Sequence, residues 1–205
     1  MRSRYAALAA TLATLVLTGA AHAGKPHDRT GFFIGFGFGG GSASWDWKDP
    51  DWGSPDEWSG IGNFRIGGAV KPNLVLHLES SAWVKQWDVV DGSSGGKIGE
   101  ADLTLSAVTF AATFFPGNMG FYLRGGLGFA TANATFSLGS AGGLSVKAES
   151  TDTGLGLVAA TGYEWRLTDK FAMGPQVELV FLGIDGDLID NALFVDGSLQ
   201  FNWYW

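Results

Sequence analysis

From Gly31 onward the apolar positions recur with a period of two. Phe32, Ile34, Phe36 and Phe38 alternate with Gly35, Gly37 and Gly39, the repeat of a strand and not of a helical stripe. Phe64, Ile66, Gly68 and Val70 alternate with Arg65, Gly67, Ala69 and Lys71, and Leu74, Leu76 and Leu78 with Val75, His77 and Glu79. Farther on, Phe121, Leu123, Leu127 and Phe129 oppose Tyr122, Arg124, Gly126 and Gly128. Leu155, Leu157, Tyr163 and Trp165 oppose Gly156, Gly162, Glu164 and Arg166. Phe171, Met173, Val177, Leu179 and Phe181 oppose Gly174, Gln176 and Glu178, and Val195, Leu199, Phe201, Trp203 and Trp205 close the series. One segment, 102–115, breaks the rule: Leu103 and Leu105 share one parity, Val108, Phe110 and Phe114 the other. A β-bulge there would reconcile them.

The connections alternate in length. Pro72-Asn73, Pro116-Gly117-Asn118 and Thr168-Asp169-Lys170 are tight turns built from turn-favouring residues. The connections at about 45–60, 85–100, 138–151 and 184–192 are long or polar. Seven connections join eight strands, with every short turn at one end of an antiparallel up-and-down sheet. This is the layout of a transmembrane β-barrel, and the fold class predicted is all-β, an eight-stranded up-and-down antiparallel transmembrane β-barrel.

The contrast between the two faces gives the barrel its polarity. A soluble barrel puts its apolar face inside; a membrane barrel turns it to lipid. Here the second face is rich in Gly and carries Arg65, Glu79, Arg124, Glu164, Arg166 and Glu178. Small residues inside a narrow eight-stranded barrel leave room for a few long ionic side chains. Trp83, Phe114, Phe115, Phe121, Trp165, Phe171 and Trp203 stand near strand ends and are expected in interfacial girdles.

The N-terminus predicts export. Arg2 and Arg4, an apolar run from Tyr5 to Leu17 and Ala21-His22-Ala23 read as a secretory signal peptide over 1–23, leaving a barrel domain over 24–205. Without Arg2 and Arg4, 20 acidic residues stand against 11 basic ones, a net charge of −9. No basic cluster supplies counterion release, so nucleic acid is excluded as a partner. The chain has no Cys, which excludes disulfides and thiolate chemistry.

These patterns resemble the outer-membrane β-barrel family of Gram-negative bacteria, the eight-stranded OmpA/OmpX-like barrels, over about residues 30–205. The segments GFFIGFGFGGGSA and GLGLVAATGYEWRLTDKFAMGPQVEL look like the family's first and sixth-to-seventh strands. Leu199, Phe201, Trp203 and Trp205 resemble its C-terminal assembly signal, with Trp205 where the family usually has Phe. The resemblance implies residence in the cell outer membrane and contact with lipid and lipopolysaccharide. It also implies handling by the barrel-assembly machinery and periplasmic chaperones, and a monomer without cofactor or metal.

Arg65 and Glu79 lie symmetrically about the Pro72-Asn73 turn and should face each other, with Arg124 and Glu164 at similar heights. Opposite charges in a narrow interior must pair, so Arg65, His77, Glu79, Arg124, Glu164, Arg166 and Glu178 are expected to form a network that plugs the lumen. His77 beside Glu79 and Ser81 is a candidate general base. The lipid A deacylases of this fold carry a His-x-Ser motif, where this chain has His77-Leu78-Glu79. Gly35-x-Gly37-x-x-Gly40 and Gly95-Gly96-Lys97 match nucleotide-loop patterns without the required context. The stretch from Trp45 to Ser59 holds Trp45, Trp47, Trp52 and Trp58 among Asp and Glu, read as a loop resting on the rim, with calcium or glycan binding as alternatives. The function expected is a non-enzymatic structural or surface-interaction barrel. A lipid A-modifying enzyme, a small solute channel and a soluble periplasmic barrel are the competing readings.

Overall fold

The computed structural model describes residues 29–48, 55–91, 96–138, 146–187 and 189–205. The segment read as a signal peptide, and Trp52 with Asp49 and Asp51 beside it, lie outside these residues. Eight long strands run in sequence: β1 (Gly31–Trp47), β2 (Asp56–Lys71), β3 (Leu74–Val90), β4 (Lys97–Phe114), β5 (Phe121–Leu138), β6 (Val146–Tyr163), β7 (Phe171–Ile184) and β8 (Ile189–Tyr204). A two-residue piece, Trp165–Arg166, continues β6 along β7. Each strand pairs antiparallel with its successor, and β1 pairs with β8, which closes the sheet. A closed sheet has no edge to leave unpaired, the condition for a strand structure to cross lipid.

Strand parity sets the two surfaces. The outward positions Leu78, Phe110, Leu127, Leu157 and Phe181 are direct register partners in succession, an apolar row across five strands. These side chains are exposed, Leu127 at 63% and Phe129 beside it at 79%. On the opposite parity Arg65, Glu79, Arg124 and Glu178 are each at most 4% exposed. The apolar face looks outward and the ionic face fills the middle. Short turns gather at one end; there β1 and the chain end are tied by Phe32 N–H to Trp205 O at 3.1 Å and Trp205 N–H to Phe32 O at 3.0 Å.

The strands are longer than the pattern predicts, 14 to 18 residues each, against the roughly 9–11 that a tilted strand needs to cross a bilayer. The expected long connections are therefore mostly strand, and Trp45, Trp47 and Trp58 sit on β1 and β2. The excess lies at the loop end, and there the faces exchange character. Outside, Ser106, Thr131 and Thr153 follow one another in register and begin a polar surface, with the Ser106 and Thr131 hydroxyls 2.7 Å apart. Inside, Trp83, Leu103, Leu105, Ala130, Ala132, Leu182 and Phe194 form a buried apolar cluster.

That exchange corrects the expected bulge in β4. The β3–β4 register is unbroken from Leu74↔Phe114 to Val89↔Gly99. Leu103 and Leu105 change face relative to the apolar belt because the sheet has left lipid and now buries its greasy side inward, as a soluble barrel does. Two girdle assignments fall as well. Trp83 is fully buried inside the barrel, its indole N–H donating to Gly41 O at 3.1 Å. Phe115 is buried at the short-turn mouth with Phe33, Val75, Tyr122, Ala172 and Tyr204.

Glycine makes the narrow middle possible. A Cβ on Gly37 would stand 2.2 Å from the Gln200 amide, which occupies that space to reach Arg65. A Cβ on Gly67 would meet the β3 backbone itself, 2.0 Å from Leu76 O. Gly67→Val is expected to destabilise the barrel by about 1–3 kcal/mol through overpacking, read as a lower urea midpoint in vesicles.

Candidate functional site: the barrel interior and its loop-end mouth

The lumen is polar in its lower and middle sections because residues that would be costly there alone reach one another across it. Arg124 on β5 lies between two carboxylates, 3.1 Å from Glu79 on β3 and also bonded to Glu178 on β7. Glu178 accepts two further bonds, from Ser81 Oγ at 2.6 Å and Gln176 Nε2 at 2.8 Å, and Gln176 is held by the Tyr122 hydroxyl at 2.9 Å. Asp196 stands opposite Glu178 in the β7–β8 register.

A second centre sits toward the short turns. Glu164 receives Arg29 Nε at 2.8 Å, the Tyr204 hydroxyl at 2.9 Å and Asn202 Nδ2 at 3.0 Å. Arg29 also donates to Met119 O at 3.1 Å, and its guanidinium carbon stands over Phe115, 3.3 Å from the ring centre. Arg65 joins this second centre, donating to Asn202 Oδ1 at 3.0 Å and to Gln200.

The register does set Arg65 opposite Glu79, yet the two do not form an ion pair. A long side chain in a lumen this narrow reaches past the adjacent strand to the next but one. Arg65 passes over β1 to β8, and the ion pair of Glu79 is with Arg124. Of the other expected members, His77 is buried and shares a bond of 2.9 Å with Thr113. Arg166 stands apart near the last short turn, donating to Asp169 O at 2.7 Å and lying over Tyr204.

Leu199, Phe201, Trp203 and Trp205 all project outward from the β8 side of the β1–β8 closure. Trp203 stacks on Phe36 at 5.0 Å and Phe201 on Phe38 at 5.3 Å, while Trp205 lies 5.9 Å from Phe32. The end of the chain is thus built into the seam that completes the cylinder.

Above the apolar cluster the mouth opens into a cavity of about 240 Å³. Trp45, Trp47, Trp87, Phe136, Leu103 and Glu57 are among its walls. Lys85 holds Glu57 at 3.0 Å and donates to Trp58 O. Outside the mouth, hydrogen bonds from Lys48 to Asp190 at 2.8 Å and Asp185 at 2.9 Å raise the lysine pKa above its ordinary value. Among the described residues no group of three or more His, Asp or Glu is arranged to hold a metal.

No protein-family model and no curated protein matches the chain. Solved structures do. Ail, the attachment invasion locus protein of Yersinia pestis, crystallised with the heparin analogue sucrose octasulfate, is similar at a TM-score of 0.58 and 14% identity, over 85% of this chain and 99% of that one. Neisserial surface protein A is similar at a TM-score of 0.56 and 15% identity, over 85% and 97%. The chain has the fold of an eight-stranded outer-membrane β-barrel. That fold and the apolar belt place it in the outer membrane, in contact with lipid.

Sequence reasoning missed Arg29, which precedes the first periodic strand and so carried no alternation to mark it. It placed Gln176, Gln200 and Asn202 on the inner face, by their alternation with Val177 and with Leu199, Phe201 and Trp203, but left them out of the network. The apolar upper lumen was legible in the parity change at Leu105 and in the inward parity of Trp83.

Proposed function

We propose that the protein is a non-enzymatic outer-membrane barrel with a structural or surface-interaction role, its lumen closed by the charge network and its loop end offered to the exterior. The filling of the lumen at two levels carries this reading: Arg29, Arg65 and Arg124 with their carboxylate and amide partners below, Trp83, Leu105 and Phe194 above. An ion would have to pass both a bonded ionic layer and a dry apolar one. In planar bilayers the protein is expected to give no conductance steps, and regular steps would overturn the closed lumen.

His77 is 1% exposed within the lumen, away from any lipid substrate, which favours a structural histidine over a general base. His77→Ala is expected to leave lipid A acylation unchanged by mass spectrometry. The closure of all eight strands supports a monomer, since no free edge recruits a second copy. The outward Leu199, Phe201, Trp203 and Trp205 suit recognition by the barrel-assembly machinery and periplasmic chaperones before the seam closes, and the apolar belt suits lipopolysaccharide acyl chains.

A polyanion such as the one bound to the Yersinia protein is a poor fit here. In the loop-end half, described residues 42–48, 55–61, 82–91, 96–106, 131–138, 146–154, 182–187 and 189–195 hold twelve acidic and four basic side chains. A field of that sign repels sulfate and attracts cations.

A further inference from the structure

The geometry points to the loop-end cavity as a binding site for a small organic cation of the alkylammonium class. Three observations converge. The walls are aromatic, and the rings stand at angles to one another: Trp45 and Trp47 have centres 5.8 Å apart at 84°, Trp45 and Trp87 6.2 Å apart at 63°. Indoles set edge to face enclose a corner, so a guest placed there meets more than one π system, the arrangement by which aromatic cages hold quaternary ammonium groups. The size fits next. About 240 Å³ accommodates one small organic molecule and no polymer. Charge decides the class, because the loop-end half carries an excess of eight negative charges among its described residues. Of the two carboxylates in the wall, Glu57 is paired with Lys85 and Asp102 keeps a buried Oδ1 without a hydrogen-bond partner, so attraction comes from the ring faces, the surrounding field and a single carboxylate oxygen, too few oxygen ligands to hold a metal ion. A strongly hydrated ion gains little from such walls, whereas an alkylated ammonium loses little water on entry and presents a diffuse charge to the indoles.

The site lies above the filled section of the barrel, and the inference stands whether or not the lumen conducts. Its recognition residues are Trp45, Trp47 and Trp87, with Phe136 closing one side. Trp87 and Trp47 are only partly buried, so either can be replaced without opening the apolar cluster beneath.

The test uses the full barrel folded in detergent micelles and isothermal titration with three probes: choline, its uncharged carbon isostere 3,3-dimethylbutan-1-ol, and glucose. Choline is expected to bind, to weaken with added salt, and to lose at least tenfold in affinity in Trp87→Ala and Trp47→Leu. The isostere and the sugar are expected to bind at least tenfold more weakly than choline. Heat-dependent gel mobility identifies the variants that are folded. Equal binding of choline and its isostere would make the cavity merely apolar and overturn the proposal. Preference for glucose, absence of choline binding, or unchanged affinity in both folded variants would overturn it too.

Discussion

Arg124→Met is expected to destabilise the barrel by about 3–5 kcal/mol, the cost of leaving buried charge without its counterpart. Arg124 is the only guanidinium that reaches both Glu79 and Glu178 among the ion pairs of the described residues. Ser81 and Gln176 remain to bond Glu178 in the variant, but Glu79 keeps no comparable partner. Adding Glu79→Gln is therefore expected to recover a substantial part of the loss, because a neutral amide needs no counter-charge in the lumen. The measurement is urea unfolding in lipid vesicles, followed by the gel shift that separates folded from boiled protein. A cost below about 1 kcal/mol, of the size found for exposed pairs, would mean that water reaches the interior and that the lumen is not sealed.

A second large effect is expected from arginine placed along the outer face of β4. Phe110→Arg puts a charge in the middle of the apolar row and should cost about 2–4 kcal/mol, the penalty for a cation near the bilayer midplane. Thr104→Arg, six residues away on the same face, should cost about 0–1 kcal/mol, because that position lies beyond the Ser106–Thr131–Thr153 row where the surface turns polar. Unfolding midpoints of the two variants in the same vesicles test the placement of the boundary. Similar penalties at both sites would move it past Thr104 and remove the explanation given for Leu103 and Leu105.

Strand number, connection order and the facing of the strands within the apolar belt were legible in the sequence, because a period of two is a local signal that needs only neighbouring residues. Phe36 and Gly37, or Leu78 and Glu79, disclose their sides directly. Partner choice was less legible. Arg65 was matched to Glu79 from turn symmetry, which gives register correctly and says nothing about how far a guanidinium extends across a staggered cylinder. The apolar upper lumen was obscured for another reason. The strands pass through two solvents, and the rule that apolar means lipid fails where the solvent changes. The parity of Trp83, shared with His77 and Glu79, and of Ala130, Ala132 and Ala134, shared with Arg124, carried the correction.

The change of solvent along the strands has a consequence for what the protein can meet. If about seven residues of each strand continue past the acyl chains at roughly 3.3 Å each and tilted by about 40°, the rim stands on the order of 15–20 Å above the hydrocarbon boundary. That pedestal carries the tryptophan-lined mouth through the headgroup zone. Molecules arriving from the medium then encounter it with little competition from neighbouring saccharides, and its stiffness comes from continuous hydrogen-bonded sheet.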